Sequence, residues 1–247
     1  MITPKPPILH QEPKRPARKP KRMTIAIGML CDEGLIIAAD TMAALTDGTT
    51  RQAVKIHEAF TDSFACVIAN AAADGNAVNT LVPDILADLR KKNLSCFADA
   101  EKSIRNSMFQ WADQFRQGNP DTQLIIGISI IRPSVPDVRL GGGIRLYYGE
   151  PPNTMLPVEL NDASTGYVGA GMGASITDPI FRTLFGMEVS VNVALRQTAY
   201  LMYRAKKDAA SSCGGETHAV VLKSGSTRPL WVVIGHQEAD KYDQLPV

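Results

Sequence analysis

The apolar positions of this chain fall into blocks of two different periods. Thr24 to Leu30 and Leu35 to Asp40 are almost continuously apolar and flank Cys31-Asp32-Glu33-Gly34. Short apolar runs bounded by turn residues predict a β-hairpin. Residues 42 to 52 are polar and turn-rich, and Ala53 to Phe60 and Phe64 to Asn70 predict two further strands around Thr61-Asp62-Ser63. From Ala71 the period changes: Ala77, Leu81, Ile85 and Leu89 recur at helical spacing, with Pro83 marking a kink or a fresh first turn. Phe97, Ile104, Met108, Trp111 and Phe115 share one face of a second helix. That stripe predicts core packing.

Thr122 to Ile131 and Gly143 to Tyr148 predict strands, followed by a short run at Tyr167 and Val168. Asp178-Pro179 predicts a cap with proline in the first turn, for a helix ending near Gly186. Ser190 predicts a cap for the next helix, with Val191, Ala194, Leu195, Leu201, Met202 and Ala205 facing inward. Thr217 to Lys223 and Leu230 to His236 predict closing strands. Helices in two consecutive pairs between blocks of strands do not make a doubly wound sheet, which needs strict alternation. The order predicts an α+β fold, a four-layer αββα sandwich of two stacked antiparallel sheets with a helical layer on each outer face.

The chain has 247 residues, 45% of them hydrophobic, which suits one large domain over residues 23 to 247. Residues 1 to 22 hold six prolines and seven Lys or Arg against one acid. With only Ile8 and Leu9 to bury, this basic Pro-rich leader is expected to be disordered. The whole chain carries +1 and the leader +6, so the remainder is near −5. A mildly acidic domain argues against a nucleic-acid partner. No apolar run reaches membrane-span length, and no apolar segment follows the basic N-terminus. A cytoplasmic location without membrane association is the expectation. Cys31, Cys66, Cys96 and Cys213 are widely spaced and read as reduced thiols, with no metal site and no cofactor implied. Gly141-Gly142-Gly143 lacks the Gly-Lys-Ser/Thr ending of a phosphate loop.

Candidate chemistry sits at strand ends. Thr24 opens the first strand, Asp40 closes the second, and Lys55 belongs to the next strand block. A threonine hydroxyl is a poor nucleophile until a base takes its proton, and an α-amino group of pKa about 7.7–8.0 is poised for that near neutrality. An N-terminal threonine carries both groups. Each residue alone has an ordinary reading as well: a strand-opening Thr, a turn Asp, a solvated Lys. His57 and His218, on strands, read as structural histidines rather than bases.

Gly34-Leu35-Ile36-Ile37-Ala38-Ala39-Asp40-Thr41, sixteen residues from Thr24 to its Asp, resembles a motif of the N-terminal nucleophile (Ntn) hydrolases of the 20S proteasome β-subunit type, including the peptidase of the bacterial two-component ATP-dependent protease. Ala53-Val54-Lys55-Ile56 resembles that family's lysine-bearing run, with an intervening loop one residue shorter. Ala69-Asn70-Ala71-Ala72-Ala73-Asp74 resembles the stretch that opens its first helix, with Asn70 where the family has glycine. Asp208-Ala209-Ala210-Ser211-Ser212-Cys213-Gly214-Gly215 resembles its late Asp/Ser/Gly-Gly signature with two residues inserted. Gly169-Ala170-Gly171-Met172 departs from it, because Ala170 has no hydroxyl to stand for the supporting serine.

The resemblance implies a threonine-type endopeptidase in a homo-oligomeric ring, acting on polypeptide, with an ATP-dependent unfoldase as a possible partner. It implies Thr24 as nucleophile, Lys55 as the cation beside it and Asp40 as the partner of Lys55. Asp208 and Ser211 would hold the amine, and the Asn70 amide would bind the oxyanion, with Ala44 and Ala72 at the substrate. Pocket positions Ala43, Ala53, His57, Ile68 and Ala72 are mostly small and rank no side-chain preference. Two alternatives stay open: a catalytically inactive structural subunit of such an assembly, and a small-amide hydrolase. A free amine on Thr24 requires removal of 23 residues, or translation from Met23 followed by methionine trimming. Expression of both chains, read by intact mass and N-terminal sequencing, is expected to give a mature protein beginning at Thr24; a product that always retains earlier residues rejects this chain start.

Overall fold

The computed structural model describes residues 24–44, 49–72, 75–92, 94, 96–114, 122–131, 143–152, 154–161, 164–185, 189–210 and 213–234. The expected leader, residues 1 to 22, lies outside them, as do Phe115, Gly141, Gly142, Gly186 and Ser211.

The hairpin at the start is β1 (Ala26–Cys31) and β2 (Gly34–Asp40), paired antiparallel from Ala26↔Ala39 to Cys31↔Gly34. Every residue of both strands is buried, which explains why they read as continuous apolar runs rather than alternating ones. A ribbon of β3 (Met42–Ala44) and β4 (Thr50–Gln52) follows, then β5 (Ile56–Phe60) and β6 (Phe64–Ala72). Helices α1 (Gly75–Lys91) and α2 (Phe97–Gln114) lead to β7 (Thr122–Ile130), β8 (Ile144–Glu150) and β9 (Thr154–Val158). Two-residue strands β10 (Leu160–Asn161) and β11 (Ser164–Thr165) pair with each other before β12 (Tyr167–Ala170). Helices α3 (Ala174–Leu184) and α4 (Val191–Asp208) precede β13 (Thr217–Lys223) and β14 (Leu230–Ile234).

One sheet has the order β12-β1-β2-β13-β14 and the other β5-β6-β7-β8-β9. Strand alternation divides the interior. Phe64, Cys66 and Ile68 of β6 pack with Leu81, Ile85 and Leu89 of α1 and Ile104, Met108 and Trp111 of α2. Ile36 and Ala38 of β2 pack with Phe181 of α3 and Ala194, Leu201 and Met202 of α4. The intervening positions, Leu35, Ile37 and Ala39 of β2 with Ala65, Val67 and Ala69 of β6, fill the space between the sheets.

The four-layer αββα sandwich expected from the sequence is corrected to a β-rich α+β fold. The described residues form fourteen strands, all paired antiparallel, in two five-stranded sheets and two two-stranded ribbons, with four helices. Six strands precede α1, not four. The reason is physical: Thr50-Arg51-Gln52 of β4 is exposed throughout, so that ribbon carries no apolar alternation to read. Helix α3 also starts four residues before Asp178, at Ala174, and contains Pro179 in its interior. Asp178 is therefore not its cap.

The sheets approach closely where β1 crosses β7 and β8. A Cβ on Gly28 would stand 2.7 Å from Ile125 Cγ2 and 2.9 Å from Leu146 Cδ1, both of the opposite sheet. On β7, a Cβ at Gly127 would meet Leu35 Cδ1 at 2.8 Å. Two missing side chains thus set the separation of the layers. Gly28→Ala is expected to destabilise the fold by about 1–3 kcal/mol through overpacking, measured as a lower urea midpoint at unchanged slope.

Candidate active site

Thr24, Asp40 and Lys55 come together at one edge of the space between the sheets. The hairpin register carries on past its last strand pair: the Asp40 amide donates to the Ile25 carbonyl at 3.2 Å, which sets Asp40 beside the start of β1. The Thr24 hydroxyl donates to Asp40 Oδ1 at 2.9 Å, and the Ile25 amide donates to the same oxygen at 3.2 Å. Lys55 reaches this point from the other sheet, immediately before β5. Its exit from the ribbon is fixed by the Ala53 amide, which donates to the Thr41 carbonyl at 2.7 Å.

The Lys55 ammonium has three donors and three acceptors. Nζ donates to Asp40 Oδ1 at 2.5 Å, to the Met42 carbonyl at 2.5 Å and to Thr24 Oγ1. The pair is deeply buried, Lys55 being 7% and Asp40 0% exposed. Burial pushes the Lys55 pKa down from its ordinary value, and the Asp40 charge and hydrogen bond pull it partly back. A lysine in this position places a positive charge against the hydroxyl oxygen and stabilises negative charge developing there.

Several partners carried no signal in the sequence. The Gly214 amide donates to Asp40 Oδ2 at 3.1 Å, so both carboxylate oxygens are held. Thr41 Oγ1 accepts from the Glu216 amide at 2.9 Å, and the Met42 amide donates to the Gly214 carbonyl at 3.1 Å. Gly215 has φ +72, and a Cβ there would lie 2.4 Å from Thr41 Oγ1. Only glycine meets both conditions without strain. The Gly214-Gly215 pair was visible as part of a motif, but its target was not. On the other side of Thr24, the Gly173 amide donates to the Thr24 carbonyl at 3.3 Å. Gly171, at φ +82, comes so near that a Cβ would stand 2.2 Å from that carbonyl oxygen.

Other candidate residues stand apart from this cluster. The Asp208 carboxylate accepts from Arg204 Nε at 3.2 Å and from its Nη2 at 3.0 Å, and is 38% exposed. Ser211 lies outside the described residues. The Asn70 amide, the expected oxyanion donor, donates to the Lys55 carbonyl at 3.0 Å. Its side-chain Oδ1 is buried with no hydrogen-bond partner among the described residues. Ala44 and Ala72 are the last residues of β3 and β6. His218 lies 3.5 Å from Glu216 and edge-on to Trp231. The four cysteines are free. Among the described residues no cluster of His, Cys, Asp and Glu is arranged to hold a metal ion, and no helix is long and apolar enough to cross a membrane.

No family model matches the chain, and no curated protein matches it. Solved structures do. An Anbu (Gly-1) mutant from Hyphomicrobium sp. strain MC1 is 16% identical with a TM-score of 0.74, over 89% of this chain and 93% of that one. Anbu (ancestral beta-subunit) from Yersinia bercovieri is 16% identical with a TM-score of 0.71, over 91% and 98%. The Anbu complex from Pseudomonas aeruginosa, solved as a helical assembly, is 14% identical with a TM-score of 0.67, over 91% and 98%. At these identities the likeness is one of fold. It corrects the resemblance to proteasome β-subunit-type Ntn hydrolases and the bacterial two-component peptidase: the structures named above are Anbu proteins. The motifs behind that resemblance are strand ends and turns of four to eight residues, too short to assign a family.

Removing one partner of a buried ion pair leaves the other charge uncompensated. Asp40→Asn is expected to destabilise the fold by about 3–5 kcal/mol, and the double variant Asp40→Asn/Lys55→Met to recover part of that loss in urea denaturation.

Proposed function

We propose that this chain is a threonine-type hydrolase of amide bonds in polypeptides, with Thr24 as nucleophile. The observation that carries this reading is the Lys55 ammonium seated between Thr24 Oγ1 and Asp40 Oδ1. In this mechanism the α-amino group of a processed Thr24 takes the hydroxyl proton. Oγ1 attacks the substrate carbonyl carbon, and Lys55 stabilises the charge gathering at the nucleophile. Collapse of the tetrahedral intermediate expels the amine product, which leaves with the proton held by the Thr24 amine, and forms an ester on Oγ1. Water then hydrolyses the ester and frees the hydroxyl. Asp40 fixes Lys55 throughout. The Asn70 amide can serve the oxyanion only by exchanging its bond to the Lys55 carbonyl for one to substrate.

The same reading includes assembly from copies of this chain, a leader over residues 1 to 22 and a domain from residue 23 onward, with Met23 also removed to free the Thr24 amine. The Pseudomonas aeruginosa neighbour is a helical assembly. Edge strand β14 exposes Leu230, Trp231 and Val233 at 59%, 42% and 64%, apolar surface that association would cover.

A second reading, a structural subunit without turnover, is favoured by two specific observations. Thr24 is only 6% exposed, and the Asn70 amide is already engaged. Hydrolysis of a fluorogenic peptide by the processed chain separates the two. Thr24→Ala is expected to lower the rate by roughly a thousandfold or more, and Lys55→Ala to abolish turnover while light scattering reports an unchanged assembly. Wild-type protein as inert as Thr24→Ala supports the structural subunit instead.

A further inference from the structure

The second lysine near this cluster, Lys206, lies in the last turn of α4. Its Nζ donates to the Gly215 carbonyl at 2.8 Å and to Thr217 Oγ1 at 2.7 Å. Both acceptors are tied to Asp40. Thr217 is the residue of β13 directly opposite Asp40 on β2. Gly215 follows Gly214, whose amide holds Asp40 Oδ2, and precedes Glu216, whose amide is bound by Thr41 Oγ1. The two bonds from one ammonium thus span the segment that grips the Asp40-Thr41 corner.

We propose that Lys206 is a positioning residue for the Thr24–Asp40–Lys55 cluster: by pinning Gly215 and Thr217 it holds the Gly214 amide against the second oxygen of Asp40, and through Asp40 it orients Lys55. Its kinetic consequence rests on the hydrolase reading above; the clamp itself does not. Arg204, on the same helix, is occupied with Asp208, and Lys207 lies over the Tyr203 ring, so neither duplicates the contact. The groups that act on Lys206 are Asp40 at the end of β2, Cys213 and Glu216 in the following segment, and Lys55 across the cluster. Burial is the largest influence and lowers the Lys206 pKa to about 8, with Lys55 acting in the same direction and Asp40, Cys213 and Glu216 against it. Below that pH the clamp is an ammonium making charge-assisted bonds, which are roughly twice as strong as neutral ones. Above it the clamp is an amine and its grip weakens.

Peptide-resolved amide hydrogen exchange over residues 213 to 217 tests the clamp in the full, processed chain. In wild type, protection at Gly214 and Glu216 is expected to fall as pH rises through about 8, while β1 and β2 keep theirs. Lys206→Met, which retains the stem and removes the donors, is expected to lose that protection and its pH dependence, and Lys206→Arg to restore protection without the inflection. With a fluorogenic peptide, Lys206→Met is expected to lower kcat roughly tenfold or more at little-changed KM, since small displacements of catalytic groups cost rates of this order. Unchanged protection in Lys206→Met overturns the clamp whatever the activity. Lost protection with unchanged kcat, in a protein whose hydrolysis depends on Thr24, overturns its positioning role. Hydrolysis that survives Thr24→Ala counts against the hydrolase reading alone, and the exchange result still decides the clamp.

Discussion

A buried carboxylate must collect donors, and Asp40 collects four of them from three separate parts of the chain. Thr24 and Ile25 come from the start of β1, Lys55 from the approach to β5, and Gly214 from the segment after α4. Taking a carboxylate and an ammonium out of water costs several kcal/mol per ion, offset only where geometry is good and the remaining valences are met. Here they are met almost completely: both Asp40 oxygens and all three Lys55 donors have partners. The arrangement therefore ties three distant stretches of backbone to one point.

The apolar interior makes that constraint possible. Asp40 terminates a strand whose other residues pack on both faces, Ile36 and Ala38 toward the helices and Ile37 and Ala39 toward the opposite sheet. Gly28 and Gly127 let the two sheets approach, so that Lys55 from one can reach a carboxylate on the other. Sheet spacing and ion-pair length are thus set by the same packing, and a change in either one is felt by the other.

The long periodic elements were legible in the sequence because burial writes them there. The hairpin around Gly34, the face of α2, and the Ser190 cap of α4, whose hydroxyl accepts from the Val193 amide, are read from residue spacing and capping chemistry. Elements without a buried stripe were not legible: β3 is only three residues long, β4 is polar and exposed, and β10 and β11 are two residues each. Asp178-Pro179 misled, since α3 begins at Ala174 and its first turn is set by Gly173, not by a polar cap. In the buried cluster, Thr24 and Asp40 were legible as polar groups at the ends of apolar strands, and Lys55 as a cation in the next strand block. The backbone partners of Asp40 were not, because an amide has no side chain to announce it. Turn and strand-end motifs report local backbone needs, so they do not by themselves assign a family.

The bond from the Ala53 amide to the Thr41 carbonyl makes a side branch of the β3–β4 ribbon. The chain leaves the cluster after Met42, whose carbonyl still receives Lys55, and is returned to it at Ala53. The exposed strand β4, Thr50–Gln52, therefore sits off the path that positions Lys55, and its side chains can be exchanged without moving the ammonium. Closure in space, rather than distance along the chain, fixes where Lys55 stands.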